Sequence, residues 1–120
     1  MKLFLKSFIF AINGIKLSLM QRNFKIHVAC AIIAIISGFV LHINLTEWCI
    51  VFICIGIVIS LEMINTAIEQ LVNLIEPNHN PKAGAIKDIA AGAVLVFSII
   101  SAMIGVMIFG KYILDLLFTY

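Results

Sequence analysis

The sequence predicts an all-α integral membrane protein, with an N-terminal interfacial amphipathic helix followed by three transmembrane helices. Three observations carry that expectation. Of 120 residues, 63% are hydrophobic and only 12% are charged, against about 25% charged in soluble domains, and the mean hydropathy is +1.19. The apolar residues gather into runs of roughly the 17–25 residues that cross a bilayer. The charges collect beside those runs instead of spreading over a surface. A chain this short could not hide so much apolar surface by folding on itself, so lipid is its natural solvent. Its length fits one domain, 1–120.

Residues 1–25 form the interfacial helix. Leu5, Phe8, Ile9, Ile12, Ile15 and Leu19 recur at helical spacing, and Lys2, Lys6, Asn13, Lys16 and Arg22 interrupt the run too often for a span. A basic amphipathic helix of this kind lies in the membrane interface. The first span covers 27–43, where 28–40 carries no charge. A turn at 42–46 follows, with Thr46 as the expected N-cap of the second helix and Trp48 suited to the interfacial aromatic belt. That second membrane helix covers 47–75. Its first half is apolar, and its second half carries Glu62, Asn65, Thr66, Glu69, Gln70 and Asn73. Pro77-Asn78-His79-Asn80-Pro81 marks a loop. The third membrane helix covers 82–118 and opens with small residues between Ala83 and Ala93, which permit close helix packing in lipid.

Positive charge predicts orientation. Lys2, Lys6, Lys16, Arg22 and Lys25 precede the first span, the next loop has no Lys or Arg, and Lys82 and Lys87 flank the loop at 76–82. The N-terminus and that loop are therefore expected in the cytoplasm and the C-terminus outside. Lys111 runs against this pattern. No cleavable signal peptide is expected. A net charge of +2 gives no reason to expect a nucleic-acid partner. Cys30, Cys49 and Cys54 sit in apolar runs without metal-ligand spacing and read as small buried hydrophobes.

Ionisable residues inside membrane helices are functional candidates. Glu62, Asn65 and Glu69 are spaced three and four apart and share one helix face. Lys87 and Asp88 begin the next helix across a short turn, so the two polar sets are expected at one depth. Two carboxylates, an Asn and a Lys suit phosphoryl transfer: a carboxylate accepts a hydroxyl proton, another holds Mg²⁺, and a lysine neutralises phosphate. The same residues also suit an ion or proton pathway, or polar packing within a larger complex. A transport or structural subunit without enzyme activity thus stays open. There is no GxxxxGK[ST] and no GxGxxG, which excludes nucleotide binding by those motifs.

Two blocks sharpen the choice. Glu62-Met63-Ile64-Asn65-Thr66-Ala67-Ile68-Glu69 matches E-x-x-N-[ST]-A-I-E, and Ala85-Ile86-Lys87-Asp88-Ile89-Ala90-Ala91-Gly92-Ala93-Val94-Leu95 matches A-x-K-D-x-x-A-x-A-V-L. With Arg22-Asn23-Phe24-Lys25-Ile26-His27 before the first span, the chain resembles the prokaryotic diacylglycerol kinase family over nearly its whole length. The resemblance implies an ATP-dependent lipid kinase of a bacterial cell (inner) membrane. It implies a homotrimer whose active sites lie at the membrane surface between subunits, and partners that are ATP, a membrane lipid alcohol and the bilayer. It implies Glu62 as general base with Asn65 supporting it, Glu69 as a ligand of the Mg²⁺ that accompanies ATP, and Lys87 and Asp88 as ATP contacts. His79 and Asn80 would lie in a loop over the nucleotide. Gln21 stands where many members carry a second metal-binding Glu, and Asn73 where many carry Asp. The Arg22–His27 stretch is closer to the undecaprenol-kinase branch than to the diacylglycerol-kinase branch.

Overall fold

The structure, a computed structural model, describes residues 1–119. All regular elements among them are helices: α1 (Lys2–Ser18), α2 (Arg22–Val40), α3 (Leu45–Ile75) and α4 (Pro81–Phe118). The last three are long and apolar enough to cross a membrane. The chain exposes 9033 Å², where a compact soluble monomer of its mass would expose roughly 6,500 Å². The excess is apolar, from residues such as Ile33, Phe39, Ile53, Leu95 and Met107, as expected of helices solvated by lipid.

The N-terminal helix, α1, is shorter than its periodicity predicts. It stops at Ser18, whose hydroxyl donates to the Gly14 carbonyl at 3.0 Å. A turn over 19–21 follows, with Gln21 extended at φ −81°, ψ 134°. Arg22–Lys25, expected in the first helix, instead form the first turn of α2. Both segments are basic and amphipathic, so composition does not locate the break between them.

α2 ends by turning back on itself. Gly38 accepts from Ile43 N–H at 3.2 Å and Phe39 from His42 N–H at 3.4 Å. His42 stands at φ 53°, the left-handed conformation this C-terminal motif requires. The turn brings Trp48 of α3 onto Gly38. A Cβ there would lie 2.8 Å from Trp48 Cη2 and 3.1 Å from Ile43 Cδ1, so only glycine permits the approach.

The cap of α3 differs from expectation. Asn44, not Thr46, receives Glu47 N–H at 3.0 Å, and the Glu47 carboxylate receives Asn44 N–H at 3.0 Å. This reciprocal capping box needs an acidic residue three positions after the cap. Asn44 has Glu47 at that position, whereas Thr46 has Cys49. At α4, Asn80 caps Lys82 N–H at 2.9 Å and Ala83 N–H at 3.5 Å, and Pro81 occupies the first helical position, where its missing N–H costs nothing.

α3 is the central element and packs most extensively against α4, then α2. Its buried face runs Glu47, Val51, Cys54, Val58, Glu62, Asn65 and Thr66: apolar in the middle, polar at both ends. Ile43, Val51 and Ile108 form a small core beside the Glu47 end. There α4 returns to α3, with Lys111 ion-paired to Glu47 and the Tyr112 hydroxyl donating to the same carboxylate at 2.7 Å.

Candidate functional site

The other polar end of α3 holds the residues expected to carry chemistry. Glu62 is 3% exposed and Asn65 4%. Asn65 Nδ2 donates to Glu69 Oε1 at 3.3 Å, as their i, i+4 spacing allows. The Asn65 amide oxygen is buried without a hydrogen-bond partner among the described residues. Such groups are uncommon, and this one is free to receive a donor.

α2 contributes a partner that the functional reading of the sequence did not assign. His27 Nε2 lies 3.8 Å from Glu62 Oε2. Both helices stand in the expected order, but their relative register is set by the turn at Gly38 and Trp48, which no local pattern reveals. The available clue was an ionisable residue at the start of a span.

Lys87 is not beside Glu62. Its ammonium hydrogen-bonds the Asn73 side-chain oxygen. Asn73 lies about 6 Å beyond Glu69 along the helix axis and about 17 Å beyond Glu62, at 1.5 Å per residue. The two polar sets are therefore spread along the α3–α4 pair instead of meeting at one depth. Asp88 and His79 are exposed, as is Gln21 at the start of α2. Asn80 spends its side-chain oxygen on the α4 cap.

An apolar groove of about 360 Å³ runs between α2, α3 and α4. His27 and Ile26 line one end and Phe109 the other, with Cys30, Cys54 and Val58 between. Ser98 and Ser101 of α4 also line it, and their hydroxyls are buried without partners among the described residues. The groove thus joins a long apolar path to the His27–Glu62 pair.

Among the described residues no three of His, Cys, Asp and Glu converge to hold a metal ion. That donor set still fits Mg²⁺ brought with a nucleotide, because this ion takes one or two carboxylates together with substrate phosphates. Glu69 is half-buried and has one oxygen bonded by Asn65, which leaves the other for a cation.

The sequence pattern of one family, described as prokaryotic diacylglycerol kinase, matches residues 9–109. The chain belongs to the prokaryotic diacylglycerol kinase family. A Bacillus subtilis (strain 168) relative named undecaprenol kinase is 49% identical over 107 residues, covering 88% of this chain and 87% of that protein. A Synechocystis sp. (strain ATCC 27184 / PCC 6803 / Kazusa) relative named diacylglycerol kinase is 34% identical over 86 residues, covering 71% of this chain and 49% of that protein. No solved structure matches. Within this kinase family, the matched residues contain the whole of α2 and α3 and all the polar residues from Glu62 to Asp88.

Proposed function

We infer that this protein is a membrane lipid kinase that transfers the γ-phosphoryl group of ATP to the hydroxyl of a long-chain lipid alcohol, undecaprenol in preference to diacylglycerol. The observation that carries the reading is the 49% identity, over most of both chains, to a protein named undecaprenol kinase. Identity to the protein named diacylglycerol kinase is lower and covers less.

Glu62 is the general base. It is buried at the polar end of the groove, where a lipid could present its hydroxyl while its chain stays among apolar side chains. The hydroxyl gives its proton to Glu62, and its oxygen attacks the γ-phosphorus. The bond from that phosphorus to the bridging oxygen breaks, and ADP leaves. Asn65 holds Glu69 and offers its buried amide oxygen to a donor. Glu69, with Gln21, would hold Mg²⁺, which when bound supplies charge neutralisation on the phosphates. Lys87 and Asp88 sit towards the Asn73 end and suit the nucleotide, with His79 and Asn80 in the loop above. On this reading the nucleotide lies along the α3–α4 pair, outward from Glu62.

Two further features belong to the same reading. The N-terminus and the 76–82 loop lie in the cytoplasm of a bacterial cell membrane, where ATP is. The protein works as a homotrimer, supported by the small residues of α4 that admit a neighbouring helix. The deciding experiment is transfer of label from γ-labelled ATP to undecaprenol and to diacylglycerol in mixed micelles with Mg²⁺. Faster labelling of undecaprenol is expected. Labelling of neither lipid, where a related kinase labels one, would refute the kinase reading.

A further inference from the structure

A general base that is closed off from water has to be reset. Glu62 gains a proton at each transfer, and its side chain is only 4% exposed. Asn65 directs its amide to Glu69 and not to Glu62. The basic side chain within ion-pair reach of Glu62 is His27, at 3.8 Å, and its side chain is 22% exposed. His27 also lines the groove, so it touches the buried carboxylate, the lipid path and the exterior. The other charge near Glu62 is Glu69 on the same face of α3. On α4, Lys87 and Asp88 lie towards the Asn73 end.

We propose that His27 is the positioning residue that orients the Glu62 carboxylate and carries its proton to solvent after each phosphoryl transfer. The proposal rests on the reading of Glu62 as general base. The separation exceeds a direct hydrogen bond, so the proton crosses through one bridging water. Protonated Glu62 releases its proton to Nε2 and returns to the carboxylate. The imidazolium then releases one proton to bulk water, and no other reactant is needed. Imidazole suits this task because it gains and loses a proton near neutral pH.

The test compares His27→Ala and His27→Gln in the purified protein, with saturating lipid and Mg-ATP. His27→Ala should lower kcat by about 10-fold or more, short of the ~10²–10⁴-fold of direct acid–base catalysis, with the KM for ATP unchanged. Added imidazole should restore part of the rate, which a packing role would not allow. His27→Gln fills the space and hydrogen-bonds but does not titrate, so it should stay slow. It also carries the test if His27→Ala fails to fold. Wild-type kcat in His27→Gln, or a slow but folded His27→Ala that imidazole leaves unchanged, would overturn the proposal. Glu62→Gln separates the two readings. With the base gone, adding His27→Ala should cost no more, since residues acting as a unit are not additive. If Glu62→Gln keeps its full rate, the base assignment fails; if it is inactive while both His27 variants are normal, only the relay fails.

Discussion

Glu47 and Glu62 are both glutamates on the inward face of α3, about four turns apart, and 8% and 3% exposed. Glu47 has every demand met within its own chain. Its oxygens receive the Asn44 backbone N–H, the Lys111 ammonium and the Tyr112 hydroxyl, and Lys111 also lies 4.7 Å from the Tyr112 ring centre. Among the described residues Glu62 has a single basic neighbour, at 3.8 Å, and the Asn65 oxygen a turn away has no partner. A satisfied buried carboxylate fastens one helix to another. An under-satisfied one costs stability and makes sense where a substrate completes the set. The same residue type at two points on the buried face of one helix is thus satisfied at one and left open at the other.

Glu62→Gln should break the chemical end most severely. Phosphoryl transfer is expected to fall by about 10²–10⁴-fold with thermal stability kept or raised, because a buried charge is removed. A single assay of kcat beside a melting curve checks both halves. Glu69→Gln should act through the nucleotide, raising the KM for Mg-ATP more than it lowers kcat, as read by titrating Mg-ATP at saturating lipid.

At the structural end the pattern should invert. Glu47→Ala removes the acceptor for Lys111, Tyr112 and the α3 cap together, so the melting temperature in detergent should fall while kcat per folded molecule holds. A large loss of kcat with an unchanged melting temperature would erase the contrast between the two ends. Gly38→Ala sharpens the same point without touching a charge. Its new methyl meets the Trp48 ring, and the overpacking should cost about 1–3 kcal/mol, measured by denaturation, with the KM for ATP unaltered. The smallest change is expected from Gln21→Glu. It adds a carboxylate at an exposed position and should modestly lower the Mg²⁺ needed for half-maximal rate; an unchanged titration would place Gln21 away from the metal.

The sequence made the local features readable and left the long-range ones hidden. Three spans follow from apolar runs, and the shared face of Glu62, Asn65 and Glu69 follows from helical periodicity. The break between α1 and α2 was invisible because the same basic, amphipathic composition continues through it. Asn44 was recognisable as a cap only by weighing the residue three positions on. Contacts between helices depend on turns that set register, so the pairings of His27 with Glu62 and Lys87 with Asn73 could not be read from either partner. Lys111 is the instructive case. It opposed the charge asymmetry that sets orientation, and its ion pair with Glu47 accounts for a cation at that end.

α2 has 19 residues, where α3 has 31 and α4 has 38. At 1.5 Å per residue α2 is about 28 Å long, close to the ~30 Å hydrocarbon thickness of a typical bilayer, so it has no spare turns. α3 and α4 can lengthen or shorten their submerged portions by sliding or tilting, but α2 cannot without dragging Gln21 and His27 with it. A thicker membrane would therefore draw the mouth of the site towards hydrocarbon, and a thinner one would lift it into the headgroups. On the reading of this site as catalytic, acyl-chain length in the host membrane would act on turnover through hydrophobic mismatch at one helix.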